Sequence, residues 1–233
     1  MRWVVLDTET TGLSAHQGDR LVEVGCVEII NRELTGNNYH SYCCPERDMP
    51  EEAYRVHGLS EAFLSDKPLF KTIASDLMNY LQGATLIIHN AAFDLGFLDN
   101  EFELCGICEA YSKTADVIDS LDVAREKHPG QRNTLDALCK RYHIDLSERQ
   151  LHGALLDARL LADVYLAMTG GQGALFASGA QQMVAQTSIH HSKHTPLSDV
   201  GLVVALSESE RQAHDDYIQS LGESAQDRWA GGE

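Results

Sequence analysis

Two carboxylates, Asp7 and Glu9, follow directly on the apolar run Trp3 to Leu6. If that run is a buried strand that persists through them, side chains alternate and both acids point to one face. Acids crowded at the end of a buried strand repel each other at neutral pH. A fold keeps them when a cation lies between them or when one holds a proton. Taken alone, the pair reads equally as a metal site or as solvated turn acids. Two more acids stand beside expected element ends: Asp94, in the first turn of a helix after a strand, and Asp157, in the first turns of the last helix. Four carboxylates can hold two divalent cations roughly 3.5–4 Å apart, the arrangement that cleaves phosphodiesters. Ligation by oxygen alone favours Mg²⁺ or Mn²⁺ over Zn²⁺. His152 precedes Gly153, which suits a histidine on a mobile loop. An imidazole near its ordinary pKa can take a proton from an activated water at neutral pH. With 11 histidines in the chain, any one of them reads first as a surface residue; only the combination argues for chemistry.

The elements that must position these groups are legible from pattern. The run from Trp3 reads as strand one, and Thr10, Thr11 and Gly12 read as a turn leaving it. Residues 21–30 alternate and are rich in β-branched residues, a second strand. Residues 31–33 form a short hairpin connection, and residues 34–44 a third strand ended by Pro45. A short helix opens at Pro50 and stops at Gly58. Residues 60–63 make another helical turn. Residues 70–81 carry apolar residues at helical spacing. Residues 84–88 are a fourth, buried strand, and a helix from just after it reaches about Leu104. Residues 115–118 form a fifth strand, and Asp119 caps the helix that begins at Ser120. Helices over residues 134–142 and 155–168 complete the pattern. The expectation is an α/β fold with a mixed sheet of five strands flanked by helices, the first three antiparallel and the last two parallel to strand one.

The 233 residues, 43% hydrophobic, can bury a sizeable core. The net charge of −17 is unusual for a chain that grips nucleic acid unaided. Either the substrate is no polyanion, or metal ions and a partner supply positive charge. No apolar run approaches the ~18 residues of a membrane span, and Asp7 interrupts the first apolar run too soon for a secretory leader. The expected location is the cytoplasm, with no membrane partner. Cys105 and Cys108 form a lone C-x-x-C without the second pair of a zinc ribbon. All six cysteines are read as reduced thiols.

After Thr169 the character changes. Residues 170–196, rich in Gly, Gln, Ser and His, read as a flexible linker. An apolar run at residues 200–206 and a capping box at Ser207 follow. Residues 197–233 are too few to bury a core alone and are expected to fold on a partner. Residues 1–169 hold 15 basic and 27 acidic side chains, residues 170–233 hold 3 and 8.

Asp7-x-Glu9, His89-Asn-Ala-Ala-Phe-Asp94 and His152-Gly-Ala-Leu-Leu-Asp157 resemble the three motifs of the DEDD exonucleases, in their histidine-containing branch. Residues 34–38, 56–58, 132–139 and 151–158 are similar to the proofreading (epsilon) subunits of bacterial DNA polymerase III. The resemblance covers residues 3–171 and, more loosely, 197–229. It implies a ribonuclease H-like fold in residues 1–169 and a 3′–5′ exonuclease with two Mg²⁺ or Mn²⁺ ions on Asp7, Glu9, Asp94 and Asp157. It implies that His152 activates the attacking water and that a nucleoside 5′-monophosphate is released. Thr8, Thr10, Thr11, Gly12 and Leu13 resemble the pocket of the terminal nucleotide, with Asp7, Glu9 and Asp157 at its edge and His57, Asn90 and Phe93 lining it. Phe93 reads also as a core residue, and His57 as a residue that only orders its loop. Gln172, Leu175 and Phe176 resemble the motif that binds the bacterial sliding clamp, with Gly173 where strong motifs have leucine. Residues 197–233 are similar to the segment that binds the polymerase catalytic subunit, and a small accessory subunit is a further implied partner of the bacterial enzyme.

Two other readings compete. A free-standing RNA- or tRNA-trimming exonuclease would need a basic surface that this charge balance does not offer. A non-catalytic, polymerase-stabilising subunit would be favoured by an incomplete acid set, and the set is complete.

Overall fold

The structure, a computed structural model, describes residues 1–107, 110–147, 149, 151–170 and 212. All of these but Gln212 belong to a compact unit spanning residues 1–182. The expected linker and C-terminal segment lie almost wholly outside the described residues, as do Gln172, Leu175, Phe176 and Cys108.

A six-stranded mixed sheet forms the centre. The strands are β1 (Arg2–Thr10), β2 (Leu21–Ile30), β3 (Glu33–Leu34), β4 (Tyr39–Tyr42), β5 (Thr85–Ile88) and β6 (Asp116–Asp119). The order is β3-β2-β1-β5-β6, with β4 also paired to β2. β1 runs antiparallel to β2 and parallel to β5, and β5 is parallel to β6. The mixed α/β class expected from the sequence is the one observed. The single third strand is instead two short ones. Gly36 turns the chain at φ +80°, and the Asn38 N–H donates to the Gly36 carbonyl. The hairpin between β2 and β3 has Asn31 and Arg32 both at positive φ, the geometry that matches strand twist.

The helices are α1 (Glu51–His57), α2 (Glu61–Leu64), α3 (Phe70–Leu81), α4 (Ala91–Leu104), α5 (Ser120–Lys127), α6 (Leu135–Arg141) and α7 (Ala154–Thr169). They cover both faces of the sheet, so its central strands are buried on both sides. On one face Val4, Leu6, Leu86 and Ile88 pack with Phe70, Leu77, Leu98 and Phe102 of α3 and α4. On the other, Val5, Val27, Ile29 and Ile87 pack with Leu138 of α6 and Leu161 and Val164 of α7. Each such side chain contributes about 1.5–3 kcal/mol by leaving water. No helix among the described residues is long and apolar enough to cross a membrane.

Two devices fix the helices that matter most below. Glu101 of α4 is buried and accepts from Arg20 Nε (2.7 Å), Arg20 Nη2 (2.8 Å) and the Leu21 N–H (3.2 Å), which ties α4 to the start of β2. At Gly25 of β2 a Cβ would lie 2.2 Å from the Leu155 backbone nitrogen. The N-terminal end of α7 therefore rests directly on the backbone of β2, and only glycine leaves room for it. The described cysteines, Cys26, Cys43, Cys44, Cys105 and Cys139, are free thiols.

Candidate active site

β1 does not end before its acids. It runs through Asp7 and Glu9 to Thr10, and its pairing with β2 is interrupted by an irregularity between Glu9 and Thr10. Alternation along the strand sends Asp7 and Glu9 to the face of Val5, where α7 lies, and Thr8 to the face of α4. Asp7 pairs in register with Gly25, the residue on which α7 rests. One short stretch thus brings the first two acids beneath the first turn of α7, which carries Asp157.

Asp94 arrives from the other side. β5 hands the chain to α4 through Asn90, held at φ +67°, and Asp94 lies in the first turn. The side chain of Asp119, at the end of β6, accepts from the Asn90 (3.1 Å) and Ala91 (2.9 Å) N–H groups and anchors that turn. The Thr8 hydroxyl donates to Asp94 Oδ1 at 2.7 Å. His152 sits on the loop before α7, half-exposed, and its N–H donates to the Val56 carbonyl of α1 at 3.1 Å.

Asp7, Glu9, Asp94, His152 and Asp157 line one cleft of about 700 Å³, with Thr8, Asn90, Phe93 and Arg149. Ligand atoms of Glu9, His152 and Asp157 lie within 4.8 Å of one another, close enough to share one cation; Asp7 and Asp94 are not part of that triplet. The acids of the cleft act on one another. Burial, then Asp94, Glu9, Asp157 and Glu23, push the Asp7 carboxyl well above the usual carboxylate range. Burial, then Asp157, Glu23 and Asp94, push Glu9 up to about 8. Burial raises Asp94 to about 7 against the hydrogen bond from Thr8. Oxygen donors crowded to this degree fit a hard divalent cation, whose charge would reverse these shifts.

Asp157 differs. Burial works to raise its pKa, but hydrogen bonds from His152 and Arg149 and the charge of Arg149 outweigh it and hold the carboxyl low. Arg149 was not singled out in the sequence. Its Nε donates to Asp157 Oδ1 (2.5 Å) and its Nη2 to Asp157 Oδ2 (2.7 Å), while Nη1 bonds Asp136 of α6. The same Nη2 lies 2.9 Å from His152 Nδ1, which is also 3.1 Å from Asp157 Oδ2. That ring nitrogen can accept from Arg149 or donate to Asp157, but not both at once.

A second cleft, of about 670 Å³, opens beside the first. Thr8 to Ser14, Pro50, Glu52, Val56, His57 and Phe93 line it. Thr8, Glu9 and Phe93 are shared by both clefts. Phe93 is half-buried, packs against Phe97 at 5.0 Å between ring centres, and lines both clefts. Leu13 is 87% exposed at the rim. The Thr10 hydroxyl donates to the Gly12 carbonyl (2.6 Å) and the Thr11 N–H to the Arg20 carbonyl (2.9 Å), so the turn is internally braced. His57 Nδ1 accepts from the Leu59 N–H (3.0 Å), and its buried Nε2 has no hydrogen-bond partner among the described residues. Asn90 lines the first cleft and not the second. Glu52 joins the second cleft without having been anticipated. Its signal in the sequence, an acid in the first turn of α1, is shared by many helices.

A family model described as Exonuclease matches residues 4–165. Over 232 residues the chain is 48% identical to DNA polymerase III subunit epsilon of Escherichia coli (strain K12), covering 96% of each. Over 227 residues it is 47% identical to the subunit of the same name from Rickettsia prowazekii (strain Madrid E), covering 95% of this chain and 97% of that one. Among solved structures, exonuclease X in complex with 5′-overhanging duplex DNA is similar at a TM-score of 0.57 and 25% identity, covering 73% of this chain and 93% of that one. Escherichia coli exonuclease I with single-stranded DNA shares the fold at a TM-score of 0.64 and 19% identity, covering 76% and 42%.

Proposed function

The chain belongs to the exonuclease family, among the DNA polymerase III epsilon subunits, and from that premise we propose that it is the 3′–5′ proofreading exonuclease of a bacterial replicative polymerase. The observation that carries this reading is the meeting of Asp7, Glu9, Asp94, Asp157 and His152 in one cleft, drawn from β1, α4, α7 and the loop before α7. Four carboxylates able to hold divalent ions and an imidazole able to take a proton suit the hydrolysis of a phosphodiester.

Asp7, Glu9, Asp94 and Asp157 would hold divalent ions, two by the count of carboxylates, Mg²⁺ or Mn²⁺ by their hardness. When bound, such ions supply positive charge against the attacking water and the leaving 3′ oxygen. His152, half-exposed on its loop, takes the proton of that water. Thr8 orients Asp94 through its hydroxyl. The neighbouring cleft receives the 3′-terminal nucleotide: the turn of Thr10, Thr11 and Gly12 forms its wall, Leu13 and Phe93 meet the base, and the unpartnered Nε2 of His57 offers a hydrogen bond. Asn90 contacts the strand from the first cleft. The product is a nucleoside 5′-monophosphate.

An acidic chain acts on DNA best when a partner holds the duplex. In this reading residues 197–233 bind the polymerase catalytic subunit, and Gln172, Leu175 and Phe176, in the linker of residues 170–196, bind the sliding clamp. A small accessory subunit is a further partner, and all act in the cytoplasm. The reading is tested with Mg²⁺ on mismatched DNA and on RNA of the same sequence, with and without the polymerase subunit. Degradation of the DNA from its 3′ end is expected, faster with the polymerase and abolished in Asp7→Ala. Preference for RNA, or full activity in Asp7→Ala, refutes it.

A further inference from the structure

The buried carboxylate of Asp157 already has a cation. Both of its oxygens accept from one guanidinium, that of Arg149, at 2.5 and 2.7 Å. The Arg149 side chain is 9% exposed and that of Asp157 3%, so this is an enclosed fork-on-fork pair rather than a surface contact. The third arm of the guanidinium is held by Asp136 on α6. The triplet of Glu9, His152 and Asp157, the one close enough to share a divalent ion, therefore contains a carboxylate whose two oxygens are both engaged, with a full positive charge against it. A divalent ion entering there meets competition for its ligand and repulsion from the guanidinium.

We propose that Arg149 is a displaceable cation in this cleft: it holds Asp157 and His152 before a divalent ion binds, competes with that ion for Asp157, and on displacement pairs with a phosphate of the bound strand. A guanidinium suits both partners, because its planar fork matches phosphate as well as carboxylate. The exchange leaves the cleft balanced at each stage. The carboxylate passes from guanidinium to metal ion, and the guanidinium passes from carboxylate to phosphate. Displacement also frees His152 Nδ1 from Arg149 Nη2, so the ring can donate to Asp157 and present its other nitrogen as a base. Binding of the ion and of the strand are thereby coupled, and such coupling is reciprocal. Arg149 is on this account a positioning residue in the ion-free cleft and a strand contact in the loaded one.

This rests on the reading of the acidic cleft as the metal site, and the test separates the two. Mn²⁺ binding to the full chain is measured by titration calorimetry without DNA, then with a nuclease-resistant phosphorothioate oligonucleotide. The proteins are the unaltered chain, Arg149→Gln, Arg149→Lys and Asp7→Ala. Without DNA, Arg149→Gln is expected to bind Mn²⁺ on the order of tenfold more tightly, within the usual range for coupled sites. The gain in Mn²⁺ affinity brought by DNA should shrink, and KM for DNA should rise. Arg149→Lys, a point charge that cannot fork, should fall between. An Mn²⁺ affinity unchanged or weakened in both Arg149 variants, with their melting curves intact, overturns the proposal and leaves the metal site standing. If Arg149→Gln does not fold, the lysine variant decides alone. Saturable binding that Asp7→Ala leaves untouched overturns the metal site and the proposal together.

Discussion

The two halves of β1 share a backbone and a place in the sheet, and they are used in opposite ways. From Val4 to Leu6 every side chain is apolar and fully buried, shared between the cores on the two faces. From Asp7 to Thr10 every side chain is polar, yet Thr8, Glu9 and Thr10 are buried as well. The first half anchors the strand. The second half spends part of that anchorage on crowded acids, which fold only because the neighbouring strands and α7 leave them no alternative. Burial alone therefore says little about what a residue does; what matters is whether the buried group gains or loses by being there.

That contrast gives a paired experiment with the largest expected effects. Leu6→Ala should cost about 2–5 kcal/mol of stability, as large-to-small changes in a packed core do. Asp7→Asn should leave the ion-free chain as stable or more so, because it removes charge from a repelling group. It should nevertheless lower exonuclease turnover on the order of a thousandfold, the several kcal/mol that metal-held charge supplies to a transition state. Denaturant melts and turnover measured on both variants check this. Should Asp7→Asn melt as early as Leu6→Ala, the two halves of the strand are not different in kind.

Gly25→Ala probes how the second half meets α7. The added methyl would collide with backbone at Leu155, and backbone cannot rotate away. Overpacking there is expected to cost about 1–3 kcal/mol. The displacement of Asp157 should reduce kcat by roughly a hundredfold, as sub-ångström to ångström misplacements in active sites do. A variant with normal kcat would show that α7 is not held by this contact.

The smallest effect is one of pH. Glu9 moves from 4.5 to about 8 and Asp94 from 3.8 to about 7 in the folded chain. The folded chain then holds protons that the unfolded chain has released. The stability from these groups is fully present below their unfolded values near pH 4 and lost as pH rises through about 7 to 8. Melting temperature in a chelator should fall between about pH 5 and about pH 8, and Mn²⁺ should flatten that slope. Asp157, held low, contributes in the opposite sense, and only under acid conditions. A melting temperature that does not change over this range would mean the acids are not crowded as described.

Much of this molecule is readable from local pattern. The run into Asp7 and Glu9, the helix after residues 84–88 with Asp94 in its first turn, and the last helix, expected from residue 155 with Asp157 in its first turns, all announce themselves within a few residues. What stayed hidden is whatever depends on convergence. Arg149 is one arginine in a polar loop until the fold brings Asp136, His152 and Asp157 around it. Gly25 is one glycine in a strand until α7, some 130 residues later, lies on it. Glu23 is a strand acid until His40 of β4 meets it at 2.7 Å. The split of the third strand was missed for a local reason: the residues around Gly36 favour a turn, but the tyrosines beyond it carry the stronger strand pattern.

The alternation along β1 has a consequence for how the gene can change. Odd-numbered residues from Trp3 to Glu9 face α7, and even-numbered ones face α3 and α4. Deleting or inserting a single codon between Trp3 and Asp7 would put the residues on the two sides of the change out of phase, so that the acids and the apolar residues before the change could not all keep their faces. A change of two codons keeps every side chain on its own face and only shifts it along the strand. In this stretch length is inherited by parity, and an alignment of relatives should show gaps there in even numbers or none.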